Sequence, residues 1–348
     1  MIPPTKPFET YKWRWATLTP TEGLNSPPVY LGVLRALQGF EGGSPSDPAL
    51  VGVLSLVEAE TQTAVSLGRD PSRNLIRHSG QYWKALGLLG DSPGRIELTP
   101  FGRRVANGGI TQEEFSAVTI KTLTLPNKLI DGDTTEWDAV GLQIKPLELI
   151  LSILTELLQT DGRDYAFVSV DELTRIVIPL AGTSAPLDEH VWSIRSARSG
   201  TLDISHWPDC TPGANDPRMA REFLLFLSHY GYCDLVAAQG EEERYFLREI
   251  EARTLIDKEI PADDTLAAIN ELRNQGPPLH VERQRVLTEI TTRPDQNKFR
   301  REVLAAADNR CIITGEQVTN VLEASHIKPV QHGGPDIVEN GLCMRVDL

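Results

Sequence analysis

Residues 322–329 read Leu322-Glu323-Ala324-Ser325-His326-Ile327-Lys328-Pro329; a short run ending His332-Gly333-Gly334-Pro335-Asp336 follows, and Glu339-Asn340-Gly341-Leu342 closes the stretch. The first eight residues read as a strand, and the glycines and proline after them as a loop. Upstream, Arg310-Cys311-Ile312-Ile313-Thr314-Gly315 reads as a strand and turn, and Phe299 to Leu304 as the opening of a helix. A helix, a strand and turn, a second strand and a glycine-rich loop therefore fall within about fifty residues.

These pieces, "RC-x-x-TG", "LEASHI-x-P", the "GG" loop and "ENGL", resemble in order the HNH nuclease family, whose fold is a β-hairpin and helix clasping one metal, the ββα-metal finger. Hydrolysis of a phosphodiester needs a deprotonated water for in-line attack and stabilisation of the charge that develops. Histidine, which titrates near neutrality, can take that proton. The resemblance implies that His326 is the general base and that Asn340 braces the loop and helps orient it. Glu323, three residues before His326, holds the place of a glutamate near phosphate or metal in some bacteriocin-type members. A divalent ion, Mg²⁺ or Mn²⁺, is implied, held by few protein ligands and several waters. Ser325 stands where relatives often have a metal ligand, and as a weak one it would reach the ion through water. A further ligand is implied about nine residues after Asn340, which falls past Leu348, so the 348-residue chain is expected to bind metal weakly and cleave poorly. His332 reads as a phosphate or solvent contact. Cys311 and Cys343 lack the partners of a zinc knuckle, with Thr314 and Val346 in their places, so no structural zinc is expected.

Working outward, Val29 to Leu37 reads as a helix, and Leu50, Val53, Leu54 and Val57 have helical spacing. A helix near Asp70-Pro71-Ser72 runs to Leu89. The turn Gly90 to Gly94, the strand Arg95 to Thr99 and the closing Pro100 to Val105 complete a pattern that resembles winged-helix DNA-binding domains. It recurs with helices at Pro146 to Thr160, Glu172 to Ile178 and Met219 to His229, then a hairpin of Tyr230 to Val236 and Glu243 to Leu247; Ala181 to Pro217 reads as loop-rich. The fold class expected is α+β: tandem winged helix-turn-helix-like domains followed by an HNH finger incomplete at its last helix. The domains are 1–130, with an aromatic arm of Tyr11, Trp13 and Trp15, then 131–250, a helical linker over 251–295, and the nuclease segment 296–348. Candidate DNA contacts are Arg69, Arg73, Arg77, Lys84, Arg95, Arg103 and Arg104 on the first unit, Arg195 and Arg198 on the second, and Arg300 and Lys328 on the finger.

The formal charge of −14 opposes a uniformly basic surface, but from Val281 to Leu348 nine Lys/Arg meet ten Asp/Glu. Nearly all the excess acidity lies before the finger, where it limits non-specific DNA binding. Four scattered cysteines with no C-x-x-C pair exclude a disulfide framework. Leu147 to Leu158 carries two glutamates and is too short to span a membrane, and the start lacks a signal-peptide pattern, so a cytoplasmic protein is expected. The favoured reading is a restriction-type DNA endonuclease acting on double-stranded DNA, sequence- or modification-dependent, as a homodimer. The alternatives are a non-catalytic DNA-binding regulator with a degenerate HNH fold, and a nuclease effector whose winged helices bind a protein.

Overall fold

Proline starts several of the described helices, and a polar side chain caps some of them. α1 (Pro27–Gln38) opens on two prolines, and α2 (Pro48–Thr61) on one, with the Asp47 carboxylate accepting from Ala49 N–H at 2.8 Å. Proline at these positions costs no backbone hydrogen bond, and the carboxylate satisfies a donor the helix leaves open. The computed structural model describes residues 3–15, 23–70, 75–76, 80–110, 112–210, 216–237, 242–248, 296–328, 334–346 and 348. The expected linker 251–295 lies outside them, as do Arg73, Arg77 and His332.

The chain divides into two compact units, one of Thr21–Val118 with Pro261–Leu348 and the other of Met1–Pro20 with Thr119–Ile260. In the first, α1 is buried along nearly its whole length. Gly32 makes this possible: a Cβ there would lie 2.8 Å from Val57 of α2 and 3.2 Å from Val321 of a 3₁₀ turn, Thr319–Val321. α3 (Gln81–Ala85) buries Tyr82 and Trp83, and Trp83 stacks on Tyr30 at 5.1 Å. The strand expected over Arg95 to Thr99 is a single bridge, Leu89 to Leu98. Thr99 is instead the N-cap of α4 (Pro100–Ala106), accepting from Gly102 N–H at 2.9 Å, so "Leu-Thr-Pro" begins a helix instead of closing a strand. α5 (Gln112–Thr122) follows. The C-terminal segment adds α6 (Gln296–Ala306) and the antiparallel hairpin of β1 (Leu322–His326) and β2 (Gly341–Arg345) to this unit. Cys311 to Gly315 is a turn, closed by Gly315 N–H on Cys311 O at 2.9 Å, where a strand and turn were expected.

The second unit contains a helix over Pro146–Asp161, a strand over Phe167–Ser169, a helical run from 170 to 182, and a helix over Asp216–His229 before the hairpin Cys233–Val236 and Arg244–Leu247. The 244–247 strand lies between the other two, antiparallel to both. Within the supposedly loop-rich insertion, Leu187–Arg198 is a helix that buries His190, Val191, Ser193, Ile194 and Ser196. Its buried face carries three polar residues, which hid the apolar periodicity. The aromatic arm, read with residues 21–130, belongs to this second unit. Trp13 and Trp15 pack edge-on to Phe223, Trp15 stacks on Phe226, and Tyr11 Oη donates to Ile178 O at 2.8 Å. The described residues are helix-rich with two small sheets, an α+β architecture.

Burial lowers the affinity of two imidazoles in this unit for protons: His190 and His229 are each drawn from 6.5 to about 4, His229 also by the neighbouring Arg221 charge. Unfolded chains take up these protons as pH falls through 6.5, whereas the folded unit does not until about 4. Stability is therefore complete above that window and falls across it, by on the order of 3 kcal/mol per histidine. Urea titrations at pH 7.5 and 4.5 are expected to show this drop, and His190→Leu should remove about half of it; an equal drop in the variant would refute the assignment.

Candidate functional site

The hairpin register pairs Leu322 with Arg345, Ala324 with Cys343 and His326 with Gly341. Alternation along β1 puts Leu322, Ala324 and His326 on one face and Glu323 and Ser325 on the other. The first face meets α6, where Phe299, Val303 and Leu304 form a small core with Cys311, Leu322 and Cys343. Gly341 lets the hairpin approach: a Cβ there would collide with Val303 and lie 3.0 Å from Phe299.

At the end of β1 the His326 ring stacks on Phe299, with centroids 4.2 Å apart and planes 16° from parallel. Its Nε2 lies 2.7 Å from Asp336 Oδ1, and the imidazole is 11% exposed. Asn340 is buried and makes three hydrogen bonds. Its Oδ1 accepts from Lys328 N–H at 2.9 Å, and its Nδ2 donates to Lys328 O and Pro335 O, both at 3.0 Å. One amide thus ties together both ends of the glycine-rich loop that delivers Asp336. Gly334 serves the same closure, since a Cβ there would strike Lys328 O and approach Asn340 Nδ2.

With a carboxylate at Nε2, the favoured tautomer keeps the proton on that nitrogen and leaves the Nδ1 lone pair to accept one. No hydrogen bond to Nδ1 occurs among the described residues. The arrangement is an imidazole oriented by a ring stack on one side and a carboxylate on the other. Phe299 and Asp336 were not singled out from sequence; Asp336 was visible only as a member of the loop, ten residues beyond His326.

Glu323 is turned from this face and engaged elsewhere. Its Oε2 lies 2.5 Å from Arg35 Nη2 and its Oε1 2.9 Å from Arg300 Nε. Burial pushes this carboxyl up, but the Arg35 and Arg300 guanidiniums outweigh it and hold it below the usual carboxylate range. Arg35 reaches from α1 to donate to Ala106 O (2.8 Å), Asn320 O (3.0 Å) and Leu322 O (2.8 Å) as well. Ser325 lies across from Leu342. Among the described residues no three His, Cys, Asp or Glu side chains converge to hold a metal ion, so the side chains described do not by themselves fit the implied Mg²⁺ or Mn²⁺. Cys311 and Cys343 are core thiols, and Cys311 Sγ accepts from Arg345 N–H at 3.2 Å.

Of the other basic candidates, several are held by acids: Lys84 by Asp91 (2.6 Å), Arg103 by Glu41 (2.5 Å), and Arg195 by Asp161 (2.9 Å). Arg198 is bound to Glu172, to Phe167 O and to the Phe167 ring, which makes it a support for the sheet. Arg69 donates to Ser66 O, Arg104 is half-buried, and Arg95 and Lys328 are exposed.

Residues 311–348 match the HNH endonuclease family. That segment is the hairpin with its turn and loop, so the match coincides with the His326 site. A solved structure described as "Crystal structure of pyrene- and phenanthrene-modified DNA in complex with the BpuJ1 endonuclease binding domain" is similar at 13% identity and TM-score 0.49, covering 80% of this chain and 91% of that one. No curated protein matches the chain.

Proposed function

We propose that this protein is a DNA endonuclease that hydrolyses phosphodiester bonds, with His326 as the general base. The observation that carries the reading is the His326–Asp336 pair in a loop pinned by Asn340, inside a segment that matches an endonuclease family. A water at Nδ1 gives up its proton as its oxygen attacks phosphorus in line, and the sugar oxygen on the opposite side departs. Asp336 holds the ring in its accepting tautomer and offsets the charge the imidazole gains. Glu323, with both oxygens engaged, supports β1 from the opposite face.

The rest of the chain is read as the part that selects DNA. In residues 146–247 a helix, strand, helices and hairpin follow the order of a winged helix, with the last strand in the middle of the sheet. Arg95 and Lys328 are the exposed cations best suited to touch a backbone. A restriction-type enzyme is the natural setting, and since one HNH site cuts one strand, a double-strand break calls for a homodimer or two successive nicks. The test is incubation of supercoiled plasmid, modified and unmodified, with the protein and Mg²⁺ or Mn²⁺. Nicked circles are expected from the wild type and not from a His326 variant. Intact plasmid throughout, with duplex still bound, would favour the non-catalytic DNA-binding regulator, a reading to which the engagement of Glu323 lends support.

A further inference from the structure

Between α1, the end of α4, the start of α6 and the 3₁₀ turn Thr319–Val321 lies a cleft of about 520 Å³. Three guanidiniums line it, Arg35, Arg300 and Arg301, together with the side chains of Gln38, Asn107 and Asn320. No acidic side chain lines it among the described residues, and the carboxylate beside it, Glu323, is already shared by two of the three arginines. Arg35 and Arg300 share that one carboxylate, which in a chain of net charge −14 is a local excess of positive charge; both side chains are largely buried, where screening by water is weak, while Arg301 is exposed at the rim.

The donors are not exhausted. Arg300 Nη2 donates to Leu322 O at 2.9 Å and to Thr319 O at 3.3 Å, but Nη1 makes no hydrogen bond among the described residues. Its Nε is buried and lies 2.9 Å from Glu323 Oε1 without the alignment of a hydrogen bond. Gln38 Nε2 donates to Asn107 Oδ1 at 3.1 Å, which sets the Asn107 amide nitrogen as a further donor at the rim. Fixed guanidinium forks and amide N–H groups around a polar cleft match the oxygens of a phosphate better than any cation or apolar group.

We propose that this cleft binds a phosphate group. Its assignment to the nucleic-acid backbone rests on the nuclease reading above; a free phosphate has the same chemistry. The Glu323 anchor at its edge is three residues from His326, roughly 10 Å along an extended strand. A phosphate held here is therefore distinct from the one that reacts, and it would register the substrate against β1.

Asn107→Asp tests this with little disturbance, because the carboxylate retains the oxygen that accepts from Gln38 while adding negative charge at the rim. Arg301→Gln is the companion variant. In the first arm, duplex DNA binding is followed by fluorescence anisotropy from low to moderate salt. Both variants are expected to bind several-fold more weakly at low salt, with the slope of log affinity against log salt reduced by about one. A fold that was merely loosened would not change the slope, and His326→Ala, which retains the cleft, should keep it. In the second arm, inorganic phosphate should raise the unfolding midpoint of the wild type saturably and that of Asn107→Asp much less. A response in the second arm alone assigns the cleft to free phosphate. If the wild type binds no duplex, the DNA reading fails while the phosphate arm still judges the cleft. Unchanged slope and unchanged phosphate response in both variants overturn the proposal and leave the nuclease reading untouched.

Discussion

His326→Ala is expected to lower the rate of plasmid nicking by about 10²- to 10⁴-fold, the usual contribution of a positioned general base, with duplex affinity nearly unchanged. Among the described residues the side chain makes one hydrogen bond and one ring stack, and it lies at the end of β1, at the edge of the core of Phe299, Val303, Leu304, Cys311, Leu322 and Cys343 and not within it. Loss of the ring therefore removes the base without removing what holds the hairpin together. Asp336→Asn separates proton transfer from folding more sharply. The new amide can donate to Nε2, which favours the tautomer with its proton on Nδ1, where water must deliver one. The rate should fall in the same direction but by less than in His326→Ala, and single-turnover rates at saturating DNA should carry the loss. If Asp336→Asn nicks at the wild-type rate, the carboxylate has no part in orienting the base. If His326→Ala does so, the site has been misplaced altogether.

The residues of this site differ in how plainly the sequence announced them, and the difference is physical. His326 and Asn340 belong to the contiguous pattern on which the family resemblance rests, and that resemblance implies a bracing amide; Asn340 hydrogen-bonds to Lys328 and Pro335. Asp336 lies beside His326 where Asn340 ties Lys328 to Pro335, and a lone aspartate after Gly-Gly-Pro has no periodicity to mark it. Glu323 has the spacing of a site residue, but the alternation of β1 turns it from His326, and one of the two arginines that engage it lies 288 positions away in α1. No local pattern encodes that contact. The basic residues were the least legible: a sequence shows where charge is, not whether Asp91, Glu41, Asp161 or Glu172 already neutralises it. The same holds for Leu187–Arg198, a helix whose buried face includes a histidine and two serines. The long apolar helices α1 and Pro146–Asp161 needed no tertiary information to be found.

Arg35→Met is expected to destabilise the unit of residues 21–118 and 296–348 by about 3–5 kcal/mol, the cost of removing one partner from a buried ion pair. The Arg35 side chain is 7% exposed, and burial draws the guanidinium down to about 10, with the neighbouring Arg300 charge acting in the same direction and Glu323 opposing both. Three backbone carbonyls, from Ala106, Asn320 and Leu322, accept from Arg35, together with the Glu323 carboxylate. Methionine fills the aliphatic volume but removes this donor from Ala106 O and Asn320 O, leaves Leu322 O to Arg300 alone, and leaves Glu323 with one arginine in place of two. Arg35→Lys keeps the charge and loses the fork, so it should recover only part of the loss. The second substitution in Arg35→Met/Glu323→Leu removes the undercompensated carboxylate, so the pair should cost less than the sum of the two single changes. Guanidinium titration monitored through Trp83, buried in this unit, measures all four proteins. Strict additivity would mean that Arg35 acts only through the carbonyls. A loss below about 1 kcal/mol for Arg35→Met would mean that the finger is not held to α1 through this side chain at all.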